Sequence, residues 1–321
     1  MNSVLIIGCG KIGGIYDSKN NGNFYSHSSA YFDSDLTDKI IFCDINIENA
    51  KKIAKIYDSE FYGSEYDTLI KKFRPDVISI CTPTESHFQI ASSILKQKFL
   101  PKVIFIEKPV CQSSNELNKL IELSNLTDVK LIANHTRRFD SKHQKIKQLI
   151  KSNFFGDLVR IDCFFYGGWK HNGIHLVDTI NYLFDDILVI KSSSNKGLIK
   201  ENKDFDVDVK LKFNNSMGEI FFNSFDEDNY QIFEMDIKFS RSRLRIEDFG
   251  NRFVFETKYV NEMKENVIML NDINLNDNTP PLCNAISLIY KFLETSDISI
   301  IEDYSIREIG NSMNCIWSLK Q

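Results

Sequence analysis

Residues 4 to 14 constrain this chain more than any other stretch. Val4-Leu5-Ile6-Ile7 is an unbroken β-branched and aliphatic run that stops at Gly8-Cys9-Gly10-Lys11-Ile12-Gly13-Gly14. A short continuous apolar run fits a strand buried on both faces, which is the condition of a parallel sheet. The glycines then fall at the spacing G-x-G-x-x-G. Gly8 permits a tight turn, Gly10 lets backbone approach a pyrophosphate, and Gly13 lets the next helix pack closely with its N-terminal N–H groups facing phosphates. A strand before the turn is the context a dinucleotide-binding motif requires.

The acid that completes such a unit follows the second strand. Lys39-Ile40-Ile41-Phe42-Cys43 reads as that strand, and Asp44 stands where a carboxylate holds the adenosine ribose hydroxyls. A carboxylate repels a 2'-phosphate, so Asp44 points to NAD over NADP; the other reading is a cap for the next helix, for which Asn46 is the better candidate. Gly13 and Asp44 are farther apart than usual, and the polar cluster from Asp17 to Asn23 accounts for the excess.

Strands then alternate with helices. Glu60 to Tyr62, Asp76 to Cys81, Val103 to Ile106 and Val129 to Ala133 read as strands, with helical stretches between them. That rhythm predicts a doubly wound parallel sheet with ligands outside the carboxyl ends of its strands. Gly8, Asp44, Thr82, Lys108 and His135 all sit just past such ends. After about residue 140 the pattern changes to short strand-like runs at 158–165, 187–191, 207–213, 219–225, 232–239, 243–246 and 252–256, closed by helices near 282–294 and 304–318. The expectation is an α/β N-terminal Rossmann domain, residues 1–138, and a C-terminal α+β domain, residues 139–321, with an open, mainly antiparallel sheet. The charged stretch Glu201 to Asp208 reads as a solvated turn.

At 321 residues the chain exceeds one ordinary core, which agrees with two domains. A formal charge of -5 without a basic stripe argues against nucleic acid or an anionic membrane, and for small-molecule partners. The N-terminal apolar run is too short for a signal peptide, no apolar stretch reaches spanning length, and a cytoplasmic protein is expected. Seven cysteines without a C-x-x-C pair indicate neither a zinc site nor a disulfide framework.

Two constellations could carry chemistry. In Glu107-Lys108-Pro109, proline biases Lys108 away from helical backbone, so its side chain can project over a cleft as a proton donor of depressed pKa. The alternative is a solvent-facing lysine at a strand end. His171 and His175 are four apart and Asp178 follows; with Asn172 as cap, His175 would lie in a first helical turn whose dipole disfavours imidazolium. A structural histidine is the other reading, and with no third ligand nearby no metal is expected. Trp169 and Tyr166 could offer a stacking wall to a sugar ring, with core packing the alternative for at least one.

Taken together, Gly8-Cys9-Gly10-Lys11-Ile12-Gly13, Cys81-Thr82-Pro83 with His87, Glu107-Lys108-Pro109, Asn134-His135-Thr136-Arg137-Arg138-Phe139 and Gly173-Ile174-His175-Leu176-Val177-Asp178 resemble, in order and spacing, the glucose-fructose oxidoreductase/inositol dehydrogenase (Gfo/Idh/MocA) family. The resemblance implies a nicotinamide cofactor and redox chemistry at a sugar or cyclitol carbon. It implies Lys108 and His175 as the catalytic pair, with Cys81, Thr82, Pro83, His87 and Glu107 joining Gly8, Gly10, Lys11, Ile12, Gly13 and Asp44 on the cofactor side. It places Arg137 and Arg138 near the cleft, and Arg138, Trp169 and Asn172 are the substrate candidates. Where many members carry an acid, four residues before the histidine, this chain has His171, which becomes the candidate third group. A homodimer or homotetramer is implied as well. The expected activity is hydride transfer at a sugar, nucleotide sugar or sugar acid; a non-catalytic dinucleotide-binding sensor and a reductase of a non-sugar carbonyl are the alternatives.

Overall fold

The computed structural model describes residues 2–17, 24–199, 204–215, 217–226 and 230–319. Most of the Asp17 to Asn23 cluster, and residues 201–203 of the charged stretch, lie outside the described residues. Two compact units emerge, the first made of residues 1–141 and 278–310, the second of residues 142–277 and 311–321. A boundary at residue 138 with one continuous C-terminal domain therefore misses the return of 278–310 to the first unit.

The first unit is built on strands β1 Asn2–Ile7, β2 Thr37–Cys43, β3 Tyr62–Gly63, β4 Val77–Ile80, β5 Val103–Glu107 and β6 Lys130–Asn134. They form one sheet in the order β3-β2-β1-β4-β5-β6, and every pairing is parallel. This is the doubly wound order, with the strand direction of growth reversing between β1 and β4. Val4, Leu5 and Ile6 are fully buried because helices cover both sides of a parallel sheet.

One cover comes from far along the chain. Helix Pro281–Thr295 starts with Pro281 in its first turn, where the missing N–H costs nothing. Its Leu282, Ile286, Ile289 and Tyr290 join Val4, Ile6, Phe42 and Phe105 in a single apolar cluster. At roughly 1.5–3 kcal/mol for each large apolar side chain buried, this contact outweighs the cost of a long return. No local pattern in the sequence announces it.

The second unit carries β7 Leu158–Phe165, β8 Leu188–Ile199, β9 Asp204–Phe213, β10 Glu219–Ser224, β11 Phe233–Phe239, β12 Ser242–Glu247, β13 Arg252–Val260 and β14 Asn266–Asn271. Their order is β14-β13-β12-β11-β7-β10-β9-β8. Only β7 and β10 run parallel among these pairings. Alternate residues of β9 and β11 are buried, and the intervening ones form an ion-pair ladder on the other face. There Lys238 bridges Asp162 and Asp236 at 2.7 and 2.8 Å, and Arg243 joins Asp236 at 2.8 Å. One-sided burial of this kind is what an open antiparallel sheet requires.

Strand β14 was not expected. Its residues are mostly exposed, including Ile268, Met269 and Leu270, so the edge lacks the alternation that marks its neighbours. No helix among the described residues is long and apolar enough to cross a membrane.

Candidate active site

The glycine turn closes on itself with little room. Gly8 has φ +97°, and a Cβ on it would lie 2.7 Å from the Cys81 carbonyl carbon; a Cβ on Gly13 would lie 2.0 Å from the Gly8 oxygen. Neither position accepts another residue. Gly10 differs, because a Cβ there meets nothing within 4 Å. Gly8 and Gly13 thus make the turn, whereas Gly10 faces open space that a ligand can occupy.

The segment Lys11–Ile15 is one wide helical turn. Gly14 and Ile15 both donate to the Gly10 carbonyl, at 3.0 and 3.1 Å. The N–H groups of Lys11, Ile12 and Gly13 lie ahead of Gly14, the first donor of that turn, at the positions where a helical start leaves donors for an outside acceptor. The α-helix expected to resume near His27 runs from His27 to Asp33, capped by Ser26. Buried Asp17 anchors its start by accepting from Ser26 N at 3.1 Å and Ser29 Oγ at 2.7 Å.

Asp44 is half-buried and tied directly to the turn. Its Oδ2 accepts the Cys9 peptide N–H at 2.8 Å, and its Oδ1 accepts Asn46 N at 2.9 Å. Asn49 Nδ2 also donates to Oδ1, at 3.3 Å, so Oδ2 is the oxygen that keeps a lone pair for a further donor such as a ribose hydroxyl. The cap of the next helix is Asn46, which accepts Glu48 N at 3.1 Å.

Thr82, Pro83 and Lys108 stand at neighbouring strand ends, and His87 joins them. His87 is buried, with Nδ1 2.8 Å from the Pro109 carbonyl and Nε2 2.7 Å from that of Thr82. Both ring nitrogens serve backbone, so this side chain braces two turns and presents no free edge to a nicotinamide. Cys81 is likewise buried beneath the glycine turn.

Glu107 is also buried. Its Oε1 accepts His27 Nε2 at 2.9 Å and Asn134 Nδ2 at 2.6 Å, and its Oε2 accepts the Lys108 N–H at 3.3 Å. Burial opposes its ionisation, but the His27 bond and charge, with Asn134 and Lys108, prevail and hold the carboxyl below its usual range. The position is therefore an anion turned into the fold, with three donors already on it. The peptide bond from Lys108 to Pro109 is cis. The pKa of Lys108 is lowered, first by burial, with Glu107 opposing and Arg137 adding to the fall. Such a lysine gives up its proton more readily than one in water.

Arg138 is not available to a substrate in the way expected. It is buried and its Nη1 donates to the Asp303 carbonyl, within the same unit. Its guanidinium secures the returning segment.

In the second unit the histidine segment is organised by a residue that sequence reasoning passed over. Trp169–Gly173 is a wide helical turn that runs directly into the helix Ile174–Phe184. Asn172 is therefore inside the helical run and does not cap it; its Nδ2 donates to the Tyr166 carbonyl at 2.8 Å. The capping acceptor is Asp204, whose Oδ1 takes Lys170 N at 3.1 Å and whose Oδ2 takes His171 N at 2.8 Å. Asp204 is buried at the start of β9, contrary to a solvated turn. It approaches so closely that a Cβ on Gly168 would lie 2.3 Å from its Oδ2.

His171 is exposed on this turn. His175 is half-buried, its ring edge-on to Phe233 at 6.3 Å. Because helical bonding begins at Gly168, His175 lies beyond the first turn, and the dipole argument for a neutral imidazole loses its geometric basis. Asp178 is buried and accepts Ser312 Oγ at 2.9 Å. Trp169 offers no stacking wall: it is fully buried, edge-on to Phe222 at 5.4 Å, with Nε1 donating to the Ile316 carbonyl at 3.2 Å. Tyr166 remains half-buried.

Residues missed by sequence reasoning had uneven signals. Ser79 interrupts the apolar strand Val77-Ile78-Ser79-Ile80, and a polar residue inside a buried strand marks a partner elsewhere. Asp204 sits in a charged run and carries no such mark.

Comparison with known proteins agrees with this architecture. Residues 2–135 match the model of the oxidoreductase family with an NAD-binding Rossmann fold, GFO_IDH_MocA. Oxidoreductase P35 of Formosa agariphila is 24% identical over 68% of this chain and 68% of its own. The myo-inositol 2-dehydrogenase of Thermotoga maritima is 25% identical over 38% of this chain and 36% of that enzyme. The solved UDP-N-acetylglucosamine 3-dehydrogenase of Acidithiobacillus ferrooxidans has a TM-score of 0.71 at 16% identity, covering 99% of this chain and 96% of the other. With its glycine turn, strand-end lysine and doubly wound order all in place, the stretch 2–135 is the NAD-binding Rossmann part that the Gfo/Idh/MocA oxidoreductase model describes.

Proposed function

We propose that this protein is an NAD-dependent oxidoreductase that moves a hydride between nicotinamide and a hydroxyl or keto carbon of a sugar, nucleotide sugar or sugar acid. The observation that carries the proposal is Lys108: a lysine at the carboxyl end of β5, depressed in pKa by burial, and without a hydrogen-bond or ion-pair partner for its ammonium among the described residues. A half-buried ammonium left uncommitted is suited to a substrate oxygen.

Gly10 and the N–H groups of Lys11 to Gly13 would receive the pyrophosphate, and Asp44 the ribose hydroxyls, which supports NAD over NADP. The nicotinamide, when bound, supplies the site that takes or returns the hydride. Lys108 orients the substrate oxygen and lowers the barrier to its proton transfer, and His175 accepts or returns that proton. His171, held on the turn capped by Asp204, is the candidate third group. The sugar named in the solved relative supports the substrate class, as does inositol in the curated one.

The test is to identify the nucleotide retained through purification, then follow the reduced-nicotinamide absorbance while sugars, sugar acids and nucleotide sugars are added. Turnover with one class and NAD, abolished in Lys108→Ala, is the expected result. Bound NAD with no response to any of these compounds would overturn the sugar assignment, and retention of NADP instead would overturn the role given to Asp44.

A further inference from the structure

Behind Lys108 lies a line of buried polar side chains that the proposed reaction leaves unused. Glu107 accepts from His27 Nε2 at 2.9 Å; His27 Nδ1 is 3.2 Å from Ser79 Oγ; and Ser79 Oγ is 2.9 Å from the Tyr31 hydroxyl. His27, Ser79 and Tyr31 are fully buried. Four elements contribute: the helix His27–Asp33, β4, β5 and, through Asn134, β6. Enclosed polar groups are stabilised by matching one another, and the contacts from Glu107 through His27 and Ser79 to Tyr31 form one connected line.

The line has a direction. An ionised carboxylate only accepts, so His27 donates through Nε2, and Nδ1 is left to the Ser79 hydroxyl, which Tyr31 holds in turn. Asn134 adds a second donor to the same Oε1, and the Lys108 peptide N–H reaches Oε2. Three donors, none of them the lysine ammonium, therefore engage Glu107. Besides His27, the cation that acts on this carboxylate is the side chain of the next residue, Lys108.

We propose that His27 is a positioning residue for Lys108: with Asn134 it holds the Glu107 carboxylate turned into the fold, so that the neighbouring ammonium is not captured in an ion pair and stays available. This rests on the reading of Lys108 as the group that meets the substrate. Among the described residues, Glu107 and Arg137 are the charged groups that act on Lys108, and His27 and Lys108 are the titratable groups that act on Glu107, together with the neutral Asn134 amide and the buried Cys81 thiol beside it. Removing His27 frees an anion beside the ammonium, which binds the proton more tightly and immobilises the lysine.

The experiment needs no substrate. Lysines of the full chain are dimethylated with 13C-formaldehyde, the Lys108 signal is assigned by its absence from Lys108→Arg, and its titration is followed by NMR in wild type, His27→Phe and His27→Gln. Phenylalanine keeps the volume and removes both nitrogens; glutamine returns a donor to Glu107. The Lys108 midpoint is expected to rise by about half a pH unit or more in His27→Phe and to fall back at least halfway in His27→Gln. NAD affinity, measured by calorimetry, should stay within about twofold in both, since Asp44 and the glycine turn are untouched. A folded His27→Phe with an unmoved midpoint, or a glutamine variant no different from phenylalanine, overturns the proposal. If His27→Phe does not fold, Ser79→Ala loosens the same histidine from its far side, and an unmoved midpoint there overturns it equally. Failure of every sugar to react would sink the substrate reading and leave this titration to decide on its own terms.

Discussion

The Asp44 carboxylate accepts the peptide N–H of Cys9 at 2.8 Å, which ties the end of β2 to the middle of the glycine turn. One residue thus shapes the glycine turn and, in the proposed function, presents an acid to a ribose. Asp44→Ala should weaken NAD binding by tenfold or more, about 1.4 kcal/mol, while NADP binding weakens less because the repulsion of its 2'-phosphate is relieved. Calorimetric titration of both nucleotides checks this; equal losses would show that Asp44 acts on the turn alone.

Gly10 and Gly13 should separate binding from folding. Gly13→Ala drives a Cβ to 2.0 Å from the Gly8 oxygen, so the turn must move, at a cost of about 1–3 kcal/mol or more. Gly10→Ala meets no protein atom, and its urea midpoint should match wild type while NAD affinity falls. Comparable destabilisation of the two variants would refute the distinction.

Lys108 trades stability for availability. Its folded pKa lies below the ordinary 10.5, first because of burial, so the unfolded state holds the proton more tightly. Stability therefore rises with pH from just below the folded value up to about 10.5. Lys108→Met should be more stable at pH 7, by about 0.5–1 kcal/mol, and should lose that rise, while turnover drops by about 10²–10⁴. Denaturant melts across pH 7 to 10.5 give the first two outcomes, and a less stable variant would contradict the argument.

Asp204 should matter more to the second unit than any exposed acid. It accepts the N–H groups of Lys170 and His171, and of Phe205 at 2.8 Å. Asp204→Ala leaves these donors without their charged acceptor, at about 1.5–3 kcal/mol for such a bond. Asp204→Asn keeps one acceptor oxygen and should recover part of the loss. An alanine variant with a wild-type melt would remove Asp204 from its place as cap.

Much of the first unit was readable along the chain, and the reason is local. A strand buried on both faces must be apolar without interruption, so Val4 to Ile7, Val77 to Ile80 and Val103 to Ile106 announce themselves. A turn that clashes with any Cβ must be glycine, which made Gly8 and Gly13 visible for a physical cause now seen in their contacts. The second sheet was legible wherever one face is buried, and β14 escaped because little of it is.

The placement of polar residues was decided elsewhere. Arg138, Trp169 and His87 have the chemistry of ligand contacts, yet each is buried against backbone carbonyls that come from distant positions or another strand end. Asp204 is one acid among several in its run until β9 brings it under the turn before His175. Periodicity along a chain reports which face of an element is dry, and that was enough for most of the strands and for a parallel sheet, while the glycine turn showed in its spacing. It carries no information on which donor a buried acceptor will meet, because that pairing depends on residues brought together only when helices and strands pack. His27 and Glu107, eighty positions apart, became partners in that step.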